Sequence, residues 1–235
     1  VIADLSEHGF GGFAEYVCVP ATALVSKPAT VPFEAAAAVP TSAVAALQAL
    51  RDAGRLQAGE HVLINGASGG VGTFAVQIAK HLGAEVTGVC STAKVELVRS
   101  IGADHVIDYT ETDITTAGVE YDLILDTAGS HSMSAYRRAL TPTGRYVMVG
   151  GPTGRFLRAL ILGPVLSMTG NRKFGAFNLT ADREDLAFVT ELLESGDLTP
   201  VIDRRYELRE VPEAIRYVED GRAKGKVVIT SEETI

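Results

Sequence analysis

One stretch limits what this chain can fold into: residues 61–80, HVLINGASGGVGTFAVQIAK. Residues 61–65 are a short apolar run rich in β-formers. Residues 66–72 hold four glycines. Residues 73–80 then place Phe74, Ala75, Ile78 and Ala79 at helical spacing. Strand, glycine turn and helix in that order predict a tight β–α connection. A turn so poor in Cβ atoms lets backbone approach a pyrophosphate, whose charge then sits at the positive end of a helix.

Three chemistries compete for this turn. Gly66-Ala67-Ser68-Gly69-Gly70 matches a nucleophile elbow with Ser68 as nucleophile. That fold requires a histidine further along, and no histidine follows His131. Gly66, Gly70 and Gly72 also match the glycine spacing of short-chain dehydrogenases. Those need Tyr-x-x-x-Lys, and no tyrosine here has lysine four residues on. The third pattern is Ala67-x-Gly69-x-x-Gly72, a dinucleotide fingerprint with alanine at its first position. Ser68, Gly69, Gly70, Val71 and Gly72 are then the phosphate cradle. The alternative is a tight strand–helix connection that holds no ligand.

The tip of the next strand tests the third pattern. Dinucleotide folds that bind a ribose 2′-OH place an acid there, about 20 residues past the turn. This chain has Cys90-Ser91-Thr92-Ala93-Lys94. Two hydroxyls and an ammonium suit a 2′-phosphate, which an acid would repel. Ser91, Thr92 and Lys94 therefore favour NADPH over NADH. Ser91 and Thr92 would equally serve as caps for the following helix, and both roles can hold at once.

From residue 60 onward strands alternate with helices: 61–65, 85–90, 105–108, 122–126 and 145–149, separated by helices over 70–82, 93–101 and 133–140. This predicts βαβ units in a parallel, doubly wound α/β sheet of Rossmann type. Ligands of such sheets bind at the carboxyl ends of the strands. That adds Tyr109, either stacked on adenine or a plain surface turn residue. It also adds Thr127 in the turn 126–129, and Gly150 and Gly151. Around this core, 14–20 reads as a strand. An alanine-rich helical segment over 32–53 is interrupted by Pro40. Residues 185–195 and 211–220 are helices, and 172–177, 201–206 and 226–230 are strands.

Composition removes other classes. The chain has 235 residues, 46% hydrophobic and 21% charged, which is a globular balance. A net charge of −8 argues against a nucleic-acid partner and against an anionic membrane surface. Two cysteines, Cys18 and Cys90, leave no disulfide scaffold or cysteine-rich zinc lobe, and the five histidines form no HExxH. The most apolar run, near 156–168, is broken by Arg158, Gly163 and Pro164. A reducing, cytoplasmic setting is the default expectation.

Taken together, several stretches resemble the medium-chain dehydrogenase/reductase superfamily, in its zinc-independent quinone oxidoreductase (ζ-crystallin-like) branch. They are GGFAEYVCVP (11–20), AAAAVPTSAVAALQAL (35–50), INGASGGVGTFAVQIAKHLGAEVTGVCST (64–92), IGADHVIDY (101–109), PVID (200–203) and GKVVIT (225–230). The resemblance implies a GroES-like β domain beside the Rossmann domain. Residues 1–28 would be the end of that β domain, 29–205 the NADPH-binding domain, and 206–235 the return to the β domain, with most of the N-terminal β domain missing. It further implies hydride transfer to quinones or α,β-unsaturated carbonyls, with alcohol dehydrogenase or enoyl reductase chemistry as a relative's alternative and a binder without turnover as another. By family position, Thr41 contacts the cofactor, and Phe174 and Gly175 lie in a stretch lining the nicotinamide side; ordinary packing is the alternative for each. No cysteine stands at 39–41, where zinc-dependent relatives carry a ligand, so no metal is expected. The resemblance implies a homodimer. It identifies no proton donor.

Overall fold

The computed structural model describes residues 1–115, 118–168 and 170–231. In chain order its elements are β1 (Ile2–Ala3), β2 (Leu24–Val25), α1 (Phe33–Ala38), α2 (Pro40–Gln48), β3 (His61–Asn65), α3 (Gly72–His81), β4 (Glu85–Cys90), α4 (Val95–Ser100) and β5 (His105–Asp108). There follow β6 (Tyr121–Asp126), α5 (Met133–Arg138), β7 (Leu140–Met148), α6 (Thr153–Met168), β8 (Lys173–Ala176), α7 (Arg183–Ser195), β9 (Ile202–Glu207), α8 (Val211–Glu219) and β10 (Lys226–Thr230). The chain divides into two compact units, Ala46–Asn178 and Val1–Ala45 with Leu179–Ile235.

The unit 46–178 is built on a six-stranded sheet of order β5-β4-β3-β6-β7-β8, and every pairing in it is parallel. Val62, Leu63 and Ile64 of β3 and Leu123, Ile124 and Leu125 of β6 are all buried. Continuous apolar burial is what a central strand covered on both faces requires. From β3 the chain proceeds outward through β4 to β5. It then returns beside β3 with β6 and proceeds the other way. Right-handed crossovers thus put α3 and α4 on one face and α5 and α6 on the other. The direction reverses between β3 and β6, where open α/β sheets leave their ligand crevice. One part of the core joins Leu63, Ile124, Tyr136, Tyr146, Met148 and Phe174. The sheet and its alternation agree with the sequence expectation, as do the strands at 61–65, 85–90 and 105–108. The helix predicted from residue 93 begins at Val95, after a single 3₁₀ turn over Thr92–Lys94.

The other unit is smaller in its secondary structure. β1 pairs with β2 antiparallel, and β9 with β10 parallel. Pro40 starts α2 and separates it from α1, as its missing N–H dictates. Asp182 caps α7 by accepting from the backbone N–H of Glu184 and Asp185. Lys226 Nζ donates to Ser42 Oγ at 2.7 Å, and Arg205 pairs with Glu34 at 2.7 Å.

One expectation changes here. Residues 14–20 form no strand. A strand needs a neighbour to take its N–H and C=O groups, and among the described residues none pairs with this stretch; Tyr16 is 91% exposed. The compact units themselves divide after Ala45 and after Asn178. Residues 29–45 and 179–205 group with the chain's two ends, because α1 packs on β10 and α7 on β2.

Candidate functional site

The glycine turn sits at the carboxyl end of β3. Gly66 has φ +85, a left-handed conformation, and a Cβ there would meet the Thr127 side chain. The N–H groups of Gly66 and Ala67 both donate to the Val89 carbonyl, and Gly69 N–H donates back to Gly66 O at 3.0 Å. The turn thus folds on itself and enters α3 at Gly72. A Cβ on Gly72 would overlap the Gly66 carbonyl oxygen and stand 2.8 Å from Ala67 Cα. Only glycine lets the helix start this close to the strand. No side chain caps α3, and Thr73 Oγ1, buried in its first turn, has no partner. A helix start without a side-chain cap and with an orphaned hydroxyl fits an anion such as a pyrophosphate. Ser68 is buried in this turn, with Gly69, Gly70 and Val71 half-buried.

Beside it, the tip of β4 carries Ser91 and the 3₁₀ turn Thr92–Lys94. Ser91 makes no capping hydrogen bond. The tertiary structure adds a residue that the local sequence did not. Asp108, at the end of β5, pairs in register with Cys90. Hydrogen bonding from Thr92, and further from Thr110, holds the Asp108 carboxyl below its ordinary range, so it is ionised at neutral pH. Burial pushes the Cys90 thiol up to about 11, with Asp108 adding to the effect, so this cysteine is a neutral packing residue. Tyr109 N–H donates to Cys90 O at 3.1 Å while its ring is 58% exposed at the same strand tips.

Across the switch point, the tips of β3, β6 and β7 are joined by one buried carboxylate. Asp126 has no exposed surface. Its Oδ1 accepts from Asn65 Nδ2 at 2.8 Å, from Gly129 N–H at 2.7 Å and from Ala128 N–H at 3.2 Å. Its Oδ2 accepts from Tyr146 Oη at 2.9 Å. Asn65 Nδ2 also reaches Tyr136 Oη at 2.8 Å and Ser130 Oγ at 3.0 Å. Burial, reinforced by the Asp126 charge, pushes both phenols upward, so Tyr136 and Tyr146 stay protonated. Thr127 ties the strand tips again: its N–H and Oγ1 both donate to Asn65 O, at 3.0 and 2.8 Å. Gly150 and Gly151 lie against this turn. A Cβ on Gly150 would stand 3.2 Å from Thr127 O, and one on Gly151 3.0 Å from Ala128 O. The 127–129 and 150–151 backbones therefore form one surface at the carboxyl ends of β6 and β7.

Comparison with known proteins bears on what such a site serves. Residues 101–229 match the family model described as zinc-binding dehydrogenase. A trans-enoyl reductase of Aspergillus terreus is 32% identical, over 96% of this chain and 67% of that protein. A chloroplast envelope quinone oxidoreductase homolog of Arabidopsis thaliana is 32% identical, over 97% of this chain and 71% of its own length. The solved quinone oxidoreductase of Coxiella burnetii superposes with a TM-score of 0.82 at 29% identity, covering 92% of this chain and 66% of that one. The chain belongs to the medium-chain dehydrogenase/reductase superfamily. It spans about two thirds of the length of these relatives.

The superfamily's members bind nicotinamide cofactors, and the glycine turn and strand tips described above fit that group. Among the described residues no group of three or more His, Cys, Asp or Glu is placed to hold a metal ion. The residues assigned by family position divide. Gly175 lies in β8, in register with Val147. Phe174 is 5% exposed, with its ring 6.0 Å from that of Tyr146 in the core. Thr41 belongs to the other compact unit, where its hydroxyl donates to Asp4 Oδ1 at 3.2 Å. The residues that sequence reasoning passed over are Asn65 and Asp108. Asn65 was readable as the polar end of an otherwise apolar strand, but its partnership with Asp126 spans 61 positions. Among the described residues no helix is long and apolar enough to cross a membrane.

Proposed function

We propose that this chain forms the cofactor-binding part of an NADPH-dependent, zinc-independent oxidoreductase. Its substrates are quinones or α,β-unsaturated carbonyls. The cofactor supplies the hydride, which is accepted by the quinone ring or by the enone β-carbon. This chain's own residues bind and orient. The N–H groups at the start of α3 and the backbone of 68–72 take the pyrophosphate. Ser91, Thr92 and Lys94 take the 2′-phosphate, and the exposed ring of Tyr109 covers the adenine. Thr127, Gly150 and Gly151 carry the nicotinamide half on backbone fixed by Asp126. No residue is assigned as proton donor. The names of relatives, an enoyl reductase and a quinone oxidoreductase homolog, support reduction of conjugated carbonyls. A homodimer is part of the proposal; the edge position of β8 is compatible with it. So is a reducing, cytoplasmic setting, compatible with two free cysteines.

The observation that carries the choice of NADPH is the tip of β4, with two hydroxyls and Lys94 and no acid of its own. Asp108 favours a second reading. Its ionised carboxylate beside Thr92 would accept a ribose 2′-OH and select NADH. The test is binding of both cofactors to Lys94→Glu and Asp108→Asn. Lys94→Glu is expected to weaken NADPH about 10-fold or more and NADH little. Equal losses for both would sink the NADPH assignment. Loss of NADH alone in Asp108→Asn would establish the second reading.

A further inference from the structure

On the α5/α6 side of the sheet lies a cavity of about 340 Å³ that the cofactor reading does not use. Its wall is one stripe of α6. Arg155, Arg158, Leu162 and Leu166 follow at spacings of three, four and four, so they share one face of the helix. The stripe is graded: two guanidiniums at its amino-terminal end, two leucines at its carboxyl-terminal end. Ser132 and Ser134, with Oγ atoms 2.9 Å apart, line the cavity from α5 and its cap. Met133, Tyr146 and Met148 complete the apolar part.

The charge of this cavity is one-sided. No acidic residue lines it. Arg155 and Arg158 enter no ion pair among the described residues, whereas seven other Lys or Arg side chains do. The histidine on the rim, His131, faces Asp113, with Nε2 3.4 Å from Oδ1, and the guanidinium charge at the cavity is that of Arg155 and Arg158. Guanidinium stays charged at any working pH and recognises planar or tetrahedral oxyanions with paired N–H donors. The two ends of the cavity thus want different things: an oxyanion at one, a short hydrocarbon at the other. The volume suits a small amphiphile.

We propose that the cavity between α5 and α6 binds an amphipathic anion, with its carboxylate or phosphate on Arg155 and Arg158 and its apolar body against Leu162, Leu166 and Met148. The site lies within one compact unit and needs neither the cofactor nor a partner chain, so it stands or falls separately from the proposed reaction.

The test uses the full chain and isothermal titration without cofactor. The probes are octanoate, octyl phosphate, butyrate and neutral octyl glucoside, against wild type and R155Q/R158Q, with far-UV circular dichroism confirming an unchanged fold. Both arginines are exposed, so the double variant is expected to fold. Octanoate or octyl phosphate should bind wild type about 10-fold or more tightly than butyrate or octyl glucoside, and lose about 10-fold or more in R155Q/R158Q. Tighter octyl phosphate identifies a phosphate monoester as the natural headgroup; equal or tighter octanoate identifies a carboxylate. Octyl glucoside binding as tightly as the anions overturns the proposal, as does unchanged anion affinity in the double variant. The wild-type probe series alone decides the matter should the variant misfold.

Discussion

Replacing Asp126 tests the architecture of the site more sharply than any change in the glycine turn. The carboxylate is fully buried and accepts from four donors on three different elements: Asn65 Nδ2, Ala128 N–H, Gly129 N–H and Tyr146 Oη. Asp126→Ala strands three of them, Ala128 N–H, Gly129 N–H and Tyr146 Oη, while Asn65 Nδ2 keeps Tyr136 Oη and Ser130 Oγ. Each stranded buried donor costs about 1–3 kcal/mol, and partial relaxation keeps losses within one network below their sum. A net loss of about 3–5 kcal/mol is expected, the range for breaking a buried charged partnership. For a chain of this length that lowers Tm by about 6–20 °C. Asp126→Asn keeps an acceptor at Oδ1 for the two N–H groups and Asn65, and turns an NH₂ toward Tyr146. It should cost only about 1–2 kcal/mol. Tyr146→Phe removes one donor and leaves Oδ2 short of one bond, again about 1–2 kcal/mol. Thermal and urea unfolding by circular dichroism measure all three. The cycle through Asp126→Asn and Tyr146→Phe should be non-additive, since the two changes remove one shared bond. An Asp126→Ala protein within about 1 kcal/mol of wild type would refute the hub, because no fully buried acceptor of four bonds can be lost so cheaply.

Two further perturbations follow from the same geometry. Gly72→Ala drives a methyl group into the Gly66 carbonyl and should destabilise by about 1–3 kcal/mol, whereas Gly154→Ala, where a Cβ meets nothing within 4 Å, should be near neutral; comparing their urea midpoints checks this. Burial pushes the His61 imidazole below its ordinary value, and His61 Nε2 lies 2.7 Å from Thr87 Oγ1. The unfolded chain therefore binds a proton near pH 6.5 that the folded chain refuses. This contribution to stability is full above about pH 6.5 and is lost as pH falls through the window beneath it. The urea midpoint should drop between pH 7.5 and 5.5, and drop less in His61→Gln; identical pH profiles for the two proteins would exclude His61 as the cause.

The sequence by itself determined the sheet and the place of its ligand edge. Runs such as Val62-Leu63-Ile64 and Leu123-Ile124-Leu125 are apolar at every position, which only a strand buried on both faces can satisfy. The spacing of Gly66, Gly69 and Gly72 carried the turn, because the demand for a missing Cβ is local and shows as glycine. Pro40 marked its own helix boundary for the same reason. What the tertiary structure decided depends on contacts between distant positions. Asn65 and Asp126 look like ordinary strand ends until register places them side by side. Asp108 stands 18 residues from Cys90 in sequence, and beside it in the sheet; the tip of β4 read alone is acid-free, and read in the sheet it is not. The strand expected at 14–20 has strand-like residues but no neighbour among the described residues, and a strand is a property of a pair. Local backbone demands are written in residue types, whereas hydrogen-bond partners and nearby charges are set by which strand lies next to which.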